Sequence, residues 1–488
     1  MTPAGPLPGP VATLGERGLS LEEFEAVCRG REVVLAGPGR WAMEEGTRRL
    51  EVVLGEGTPV YGVTTGYGES SDREIPPGER AAFQLATLRS HACGTGNPLP
   101  WAVARGTWLA KAASLATGRT GAGVALVDQL VGLLNAGLAP VIPATGSLGA
   151  SGDLIPAGHA GLPLVGEEEV MDPEGRVLPA GEALAGLGLP PVGLGPRDGL
   201  SLVNGTSVTV ALGATACLAA RRYLDRVALV AAAGLEAVGG HPEAWADAVL
   251  SARPHPGAVR AAAGLRAGLE GWNRTSTPGP PHDPYAWRCA PQVHGAAQEA
   301  LDWAASATGV ELGSCTDNPV LDPSGSVVSG GNFHAAPLGL AYDALALGLR
   351  EVGALSRQRI VHLDRRLDGG PGPGLVMVLT GATAALLEAA GLGPATGRWL
   401  PVDAVEDHVS NATTAARYLA TTLDLLWRAL AGEALAATAI LQRSGGPGRS
   451  RAGRELQALV DGIVEGPLRL DRPLSATLTG LAAGLASG

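Results

Sequence analysis

The sequence predicts a mainly α protein whose core is a bundle of long helices. Segments 335–363, 376–391 and 408–441 are rich in Ala and Leu and carry no proline beyond their first turn, which suits closely packed helices. Strand patterns are few, and stretches with helical spacing alternate with loops rich in Gly and Pro. We therefore expect helix packing, rather than a sheet, to build the core.

Further helical stretches complete the predicted order of elements. They lie near residues 101–117, 123–136, 206–238 and 293–309. Ser20-Leu21-Glu22-Glu23 also has the pattern of a capping box, in which a serine and a glutamate satisfy each other's backbone N–H groups at the head of a helix. This pattern predicts a helix that begins after Ser20.

Three breaks rich in Pro and Gly are predicted loops, and they lie at 186–196, 277–284 and 369–374. The first break is a candidate domain boundary. It would divide a smaller N-terminal region, residues 1–190, from residues 191–488, which contain the central bundle and the C-terminal helices.

The composition narrows the possible functions. The net charge is −11 and no basic patch occurs, which argues against nucleic acid as a partner. No apolar run approaches the ~20 residues of a membrane-spanning helix. The N-terminus lacks the basic start and the apolar stretch of a secretory signal. We therefore expect a soluble, cytoplasmic protein with no membrane partner.

Cysteine and lysine usage excludes further kinds of site. The cysteines are odd in number and lack CxxC spacing, so reduced thiols are expected; they are Cys28, Cys93, Cys217, Cys289 and Cys315. Lys111 is the only lysine, and its apparently helical position makes it a poor candidate for a pyridoxal Schiff base. No HExxH, phosphate-binding or nucleophile-elbow motif occurs, and no metal site is predicted.

The most informative stretch is Gly-Ser-Leu-Gly-Ala-Ser-Gly-Asp-Leu at 146–154, which is polar and rich in glycine. It resembles the loop of the aromatic amino-acid ammonia-lyases, in which Ala-Ser-Gly cyclises and loses two waters to form a methylidene-imidazolone. Ring closure requires the Gly152 nitrogen to approach the Ala150 carbonyl, which small residues allow, and Ser151 supplies the methylidene. The resemblance therefore implies an internal electrophile and no external cofactor. The same tripeptide at 486–488 lacks a shaped loop around it.

A second motif is Tyr61-Gly62-Val63-Thr64-Thr65-Gly66-Tyr67-Gly68, a loop punctuated by glycines. It resembles the family segment that carries the catalytic tyrosine, so Tyr61 is the candidate base. A phenol removes a proton at neutral pH only if nearby groups stabilise its anion. A tyrosine in an isolated Tyr-Gly would more often be a packed loop residue.

A third motif, at 283–293, resembles the family stretch in which a tyrosine lines the pocket and an arginine holds the substrate carboxylate. Tyr285 and Arg288 match these two residues. The planar guanidinium suits the role because it can donate two parallel hydrogen bonds to a carboxylate. The stretch departs from the family pattern at His282, Ala286 and Trp287, where Gln, Ser and an aliphatic residue or Phe are common.

Three further motifs occur in family order, namely 202–206, 316–319 with 329–334, and 406–410. By resemblance, Asn204 contacts the substrate carboxylate or the prosthetic ring, Phe333 packs near the ring, and Glu406 faces the amine or the side chain. Each residue alone has a structural explanation as a turn, a core residue or a helix start. Six motifs in the same order make the resemblance specific.

The pair Ser90-His91 bears on the substrate. By resemblance, phenylalanine lyases have an apolar pair at this position, tyrosine lyases have His-Leu, and histidine lyases have Ser-His as this chain does. L-Histidine is therefore the preferred substrate, with urocanate and ammonia as products. Val405, where Gln is common, and the departures around Tyr285 keep tyrosine or another aromatic amino acid open.

The resemblance also implies an architecture and leaves alternatives. It implies the ammonia-lyase (fumarase/aspartase-like) fold, a prosthetic loop and a tyrosine loop in the N-terminal region, and a homotetramer in which subunits share active sites. A phenylalanine or tyrosine lyase and a 2,3-aminomutase stay open, because a mutase would use the same electrophile. A helical scaffold without catalysis is a remote alternative, and intact Ser151, Tyr61 and Arg288 argue against it.

Overall fold

The computed structural model describes residues 9–274, 281–366, 374–398, 405–444, 448–464, 468–470 and 472–487, with only the backbone of Glu69 and Gly374. The mainly α class is confirmed. Residues 1–8, 277–280, 369–373 and 488, which belong to segments considered above, lie outside the described residues.

Helices account for most of the described residues. In chain order they are α1 (Leu21–Cys28), α2 (Gly37–Gly55), α3 (Arg80–His91), α4 (Trp101–Leu115), α5 (Val124–Asn135), α6 (Leu154–Gly161), α7 (Ala180–Leu187), α8 (Asp198–Val203), α9 (Ser207–Val238), α10 (Asp247–Ser251), α11 (Pro256–Gly268), α12 (Tyr285–Arg288), α13 (Ala290–Glu311), α14 (Ala336–Asp364), α15 (Gly374–Leu392), α16 (Ala412–Arg443), α17 (Arg451–Asp461) and α18 (Ser475–Ser487).

The predicted helices match α4, α5, α9, α13, α14 and α15 to within about three residues. The capping box before α1 is also confirmed, because Glu23 N donates to Ser20 Oγ and Ser20 N donates to the Glu23 carboxylate. The predicted loop at 186–196 lies between α7 and α8.

The helix predicted from residue 408 begins four residues later, at Ala412. Asn411 has a φ of 50°, a left-handed conformation that does not continue a right-handed helix. Ser410 Oγ accepts a hydrogen bond from Ala412 N at 3.3 Å and so caps the first turn of α16. Residues 405–411 are therefore a loop.

The residues group by contact into two compact units. The first contains Met1–Thr215, Ala305–Leu340 and Ala395–Arg417, and the second contains Ala216–Ala304, Ala341–Pro394 and Tyr418–Gly488. The domain boundary near residue 190 stays a prediction, because grouping by contact does not test independent folding.

Short strands accompany the helices of the first unit. β1 (Ala12–Leu14) pairs in parallel with β2 (Val33–Leu35), whereas the other pairs are antiparallel: β3 (Thr95–Pro98) with β5 (Pro143–Thr145), β6 (Glu169–Met171) with both β4 (Ala139–Pro140) and β7 (Val177–Pro179), and β8 (Val320–Leu321) with β9 (Val327–Val328). β5 leads into the loop at 146–153, and α6 follows it.

Small residues allow the long helices of the second unit to approach one another. A Cβ added to Gly353 of α14 would lie 2.4 Å from a methyl carbon of Leu426 and 2.6 Å from one of Leu386. Ile360, Ala382 and Ala429, from α14, α15 and α16, form one buried cluster. The Ala/Leu-rich composition therefore serves close helix packing here.

One helix corrects an expectation. Segment Leu375–Leu392 of α15 has a mean hydropathy of 1.8, so by length and composition it could cross a membrane, contrary to the statement that no apolar run approaches that length. Only 28% of this segment is buried. A single helix of this kind is weak evidence for a membrane, because the helices of soluble proteins pass the same test.

Candidate active site

The loop at 146–153 is fixed at both ends by backbone hydrogen bonds. Asp153 N donates to the carbonyl oxygen of Gly205 at 2.8 Å, and Asn411 N donates to that of Leu148 at 3.0 Å. The segment before α9 and the segment before α16 therefore hold the loop from two sides. Both contacts lie within the first unit.

Ser151 lies at the centre of this loop. Its Oγ donates to Glu406 Oε1 at 2.9 Å, and its carbonyl oxygen accepts from Asn204 Nδ2 at 3.2 Å. Its φ of 50° is positive, which is uncommon for a residue with a side chain. The structure thus brings together three residues that were predicted from separate motifs. Asn204 and Glu406 lie about 50 and 250 positions after Ser151 in the sequence.

Two glycines make the tight path of the loop possible. Gly149 and Gly152 have φ values of 75° and 87°. A Cβ on Gly149 would lie 2.1 Å from Ser410 Oγ, and one on Gly152 would lie 2.2 Å from the carbonyl oxygen of Gly205. A side chain at either position would force neighbouring atoms to shift and would strain the positive φ, so glycine suits both places and keeps the chain around Ser151 small, as cyclisation requires.

The Asp153 carboxylate anchors the loop from inside the protein. It accepts hydrogen bonds from Thr209 N, Thr209 Oγ1 and Thr413 Oγ1, each at 2.7 Å. Burial raises the pKa of Asp153, and the hydrogen bonds from Thr209 and Thr413 act in the opposite direction. The carboxylate therefore joins the loop to the first turns of α9 and α16.

The Tyr61 loop is ordered by its neighbours. Gly68 N donates to Tyr61 Oη at 3.1 Å. Buried Gln84 donates to the Gly62 carbonyl at 2.9 Å and accepts from Leu200 N at 2.8 Å. Gln84 thus links the tyrosine loop to α8, the helix whose C-cap residue is Asn204.

Tyr67 is a poorer candidate base than Tyr61. Its ring stacks on Phe83 at 4.9 Å, and its hydroxyl lies 3.0 Å from Thr87 Oγ1. Burial raises the pKa of Tyr67 to about 12, although the hydrogen bond with Thr87 lowers it. A phenol of this kind holds its proton more tightly than an ordinary tyrosine does.

Ser90 and His91 lie in the last turn of α3. His91 Nδ1 lies 2.7 Å from the Thr87 carbonyl oxygen, which can only accept, so Nδ1 carries the proton. Nε2 of the neutral ring is then an acceptor. The Ser90 hydroxyl donates to the same carbonyl at 3.1 Å and is exposed. A Cβ on Gly158 of α6 would lie 3.0 Å from His91 Cβ, so α3 packs closely on the helix that follows the Ser151 loop.

The segment with Phe333 is held by two asparagines. Gly330 N donates to Asn318 Oδ1 at 2.7 Å, and Asn332 Nδ2 donates to the Cys315 carbonyl at 3.1 Å. Phe333 is half-buried. His334 Nε2 lies 3.0 Å from His408 Nδ1, which connects this segment to the one that carries Glu406.

Tyr285 and Arg288 belong to the second unit, on the short helix α12. The Arg288 guanidinium lies 4.9 Å above the centre of the Tyr285 ring, and Tyr285 is 68% exposed. Exposed His282 precedes them, whereas Ala286 and Trp287 are buried. The two departures at Ala286 and Trp287 therefore face the interior of the second unit.

A buried ion pair supports α12. Arg359 on α14 donates to both oxygens of Glu433 on α16, at 2.6 and 3.0 Å, and neither side chain is exposed. Arg359 also donates to the Ala286 carbonyl at 3.2 Å and lies 5.7 Å from the Trp287 ring centre. These contacts fix the backbone between Tyr285 and Arg288.

Three residues of the site were not predicted from the sequence, namely Gln84, Thr209 and Thr413. Their types carry no family signal of their own, since their roles depend on which backbone groups they meet in the fold. The five cysteines are free, as expected. Within the described ranges, no group of three or more His, Cys, Asp or Glu residues is arranged to hold a metal ion.

Known proteins have sequences similar to this one. A family model described as aromatic amino acid lyase matches residues 19–463. The chain is 39% identical over 480 residues to the histidine ammonia-lyase of Symbiobacterium thermophilum, covering 95% of this chain and 94% of that protein. It is 38% identical over 461 residues to the histidine ammonia-lyase of Deinococcus radiodurans, covering 91% of this chain and 87% of that protein.

Solved structures share the fold. Tyrosine aminomutase from Streptomyces globisporus superposes with a TM-score of 0.92 at 28% identity, covering 98% of this chain and 97% of that one. Histidine ammonia-lyase from Trypanosoma cruzi superposes with a TM-score of 0.89 at 29% identity, covering 98% of this chain and 94% of that one.

Proposed function

The chain belongs to the aromatic amino acid lyase family, and we propose that it releases ammonia from L-histidine to form urocanate. The observation that carries this function is the loop around Ser151, whose hydroxyl and carbonyl are bound by Glu406 and Asn204. The histidine ammonia-lyases among its relatives support the choice of histidine.

Cyclised Ala150-Ser151-Gly152 is the proposed prosthetic group, and no external cofactor is needed. When formed, this methylidene-imidazolone supplies an electrophilic alkene that makes the substrate amine a better leaving group. Asn204 would hold the Ser151 carbonyl oxygen, and Gly149 and Gly152 give the ring space. Asp153 holds the loop in place.

The other residues bind substrate and move the proton. Arg288 binds the carboxylate with its planar guanidinium, and Asn204, whose Oδ1 is buried without a hydrogen-bond partner among the described residues, offers a further polar contact. Tyr61 accepts the β-proton. Fixing the carboxylate turns the β-carbon toward the base and lowers the entropic cost of the reaction. Tyr285 and Phe333 complete the pocket in this proposal.

The preference for histidine has a direct chemical reason. The imidazole of the substrate has one N–H donor and one nitrogen acceptor in its neutral form. His91 Nε2 can accept from that N–H, since Nδ1 is committed to the Thr87 carbonyl. Glu406 serves the opposite side of the ring or the amine, and Ser90 belongs to the same turn. A phenyl ring would leave such polar groups unpaired, at ~1–3 kcal/mol each.

A 2,3-aminomutase is the second candidate, and the tyrosine aminomutase fold match favours considering it. It would return ammonia to the β-carbon instead of releasing an unsaturated acid, so product analysis separates the two activities.

We also propose a cytoplasmic homotetramer whose active sites combine residues from several subunits. Its support is the apolar surface of α15, where Val376, Met377 and Leu387 are 50–69% exposed. Nearby, a cavity of about 1240 Å³ in the second unit is lined by residues of α15, α16 and α18. Exposed apolar side chains of this kind favour association between subunits.

Intact-mass measurement tests the prosthetic group. The purified chain should lack the mass of two waters, and peptide mapping should place the loss at residues 150–152. Ser151→Ala should retain the full mass and be inactive, because the methylidene carbon comes from the serine side chain. A folded, inactive wild-type chain of unmodified mass would support the scaffold alternative instead.

Tyr61→Phe should retain the mass loss and the fold while lowering kcat by at least ~10²-fold, since the phenyl ring cannot accept a proton. Arg288→Lys should mainly raise KM, by roughly tenfold or more, because an ammonium does not reproduce the two-pronged contact. Steady-state kinetics separates the two effects. Near-normal kcat in Tyr61→Phe would make Tyr285 the better candidate base.

The substrate is tested by incubation with histidine, tyrosine and phenylalanine separately, following the absorbance of urocanate, coumarate and cinnamate. Histidine should react fastest. His91→Leu should lower kcat/KM for histidine by about 10- to 100-fold, since the substrate imidazole loses a hydrogen-bond partner. Arg89→Gln is the control, because Arg89 pairs with Glu167 at the surface of the same helix. Faster turnover of tyrosine than histidine would contradict the assignment.

Sedimentation velocity tests the assembly and should give about four chains per particle. Met377→Glu and Leu387→Glu should reduce the particle size, because each places a carboxylate in the proposed contact. Val52→Glu, at an exposed position of α2, should leave the size unchanged. A wild-type monomer with full activity would show that one chain completes the site.

A further inference from the structure

Lys111 is the one lysine among 36 basic residues, and it is buried in α4. A buried ammonium is costly unless hydrogen bonds replace the water that it loses. Nothing in the proposed reaction yet uses this side chain. Its contacts show where it acts.

The Lys111 ammonium binds the end of α8. Nζ donates to the carbonyl oxygen of Ser201 at 2.9 Å and to that of Asn204 at 2.6 Å. Carbonyl groups in the last turn of a helix lack intrahelical donors and carry partial negative charge. Asn204 is the C-cap of α8, and its side chain contacts the Ser151 carbonyl. Lys111 therefore holds the backbone of a residue that reaches the electrophile.

A small cavity lies beside Lys111. The cavity measures about 10 Å³ and is lined by Lys111, Thr107, Trp108 and Ser207, among others. Ser207 Oγ is buried and has no hydrogen-bond partner within the described part of the chain. This volume suits one water molecule, which would accept from Nζ and donate to Ser207 Oγ.

The charges around Lys111 are mixed. Burial lowers the pKa of Lys111, whereas the carboxyl groups of Asp317 and Asp153 raise it and Arg197 opposes them. Arg197 itself pairs with Asp317 at 3.1 Å. On balance the pKa of Lys111 lies below its ordinary value, because burial outweighs the two carboxyl groups.

We propose that Lys111 is a positioning residue of the active site, which acts by fixing Asn204 through its backbone carbonyl. The ammonium keeps Asn204 Nδ2 at the Ser151 carbonyl and its Oδ1 free for the substrate. This inference rests on the proposed role of Asn204 in catalysis. It does not depend on which aromatic amino acid is the substrate.

A double-mutant cycle tests the proposal with whichever of histidine, tyrosine and phenylalanine the enzyme converts. Lys111→Met keeps the length of the side chain and should lower kcat roughly 10- to 100-fold, because Asn204 loses its orientation. In an Asn204→Ala background the same change should cost less than ~3-fold, since the side chain that Lys111 positions is gone.

Arg105→Met is the matched control. Arg105 is a second buried cation of α4, and it donates to the carbonyls of Leu134, Leu138 and Val27 rather than to α8. Arg105→Met should lower the unfolding temperature as Lys111→Met does, and it should change kcat by the same small factor in both backgrounds. Equal losses for Lys111→Met with and without Asn204→Ala would overturn the proposal.

A second measurement decides the matter if Lys111→Met does not fold. Growth with ¹³C,¹⁵N-lysine labels one side chain per subunit, so its NMR signal needs no assignment. Adding the reaction product should shift this signal in the wild-type enzyme and not in Asn204→Ala. An unshifted wild-type signal at saturating product would show that Lys111 is only structural. If the enzyme converts tyrosine or phenylalanine but not histidine, the proposed substrate is contradicted and this test still applies. If it converts none of the three amino acids, both the proposed function and the proposed role of Lys111 are overturned.

Discussion

The hydrogen bonds that close around Asp153 are the constraint on which the first unit depends. The carboxylate is buried and is satisfied by two threonines, one at the start of α9 and one at the start of α16. The backbone N–H of Asp153 donates to the carbonyl oxygen of Gly205, which follows Asn204. Because a buried carboxylate is costly without such donors, the loop and the two helix starts stabilise one another. The unusual backbone of Ser151 can persist only within such a frame.

The candidate site joins residues through the backbone as much as through side chains. Gln84 binds the Tyr61 loop to α8, Lys111 binds the end of α8, and Asn204 extends from that end to Ser151. Each link ends on a backbone carbonyl or N–H group. The second unit uses the same device, since Arg359 holds the Ala286 carbonyl between Tyr285 and Arg288. Rigid placement of polar groups is what catalysis by positioning requires.

Much of the fold was predictable because it follows local rules. Helical periodicity and the absence of proline located α9, α14 and α15, and a serine with a following glutamate located α1. The start of α16 was wrong by four residues, since it depends on Asn411 and on the loop at Leu148, which lies far away in the sequence. The low burial of α15 was also missed, because composition does not reveal which face of a helix is covered.

The candidate site was predictable where a residue type is tied to a chemical task. Ser151, Asn204 and Glu406 were chosen from separate motifs, and the structure places them in hydrogen-bond contact. Gln84 and the Asp153 threonines were not found, because a glutamine or threonine gains its meaning only from the backbone groups beside it. Trp287 departs from the family pattern, and its burial beside Arg359 depends on α14, which lies far away in the sequence.

The burial of Lys111 has a practical consequence for handling the protein. Since no other lysine exists in the chain, the folded surface offers no lysine amine to acylating, carbamylating or cross-linking reagents. The positively charged side chains on the surface of the protein are arginines, which such reagents leave untouched. Modification of Lys111 requires α4 and the end of α8 to separate, so the rate of that reaction reports how often this part of the interior opens to solvent.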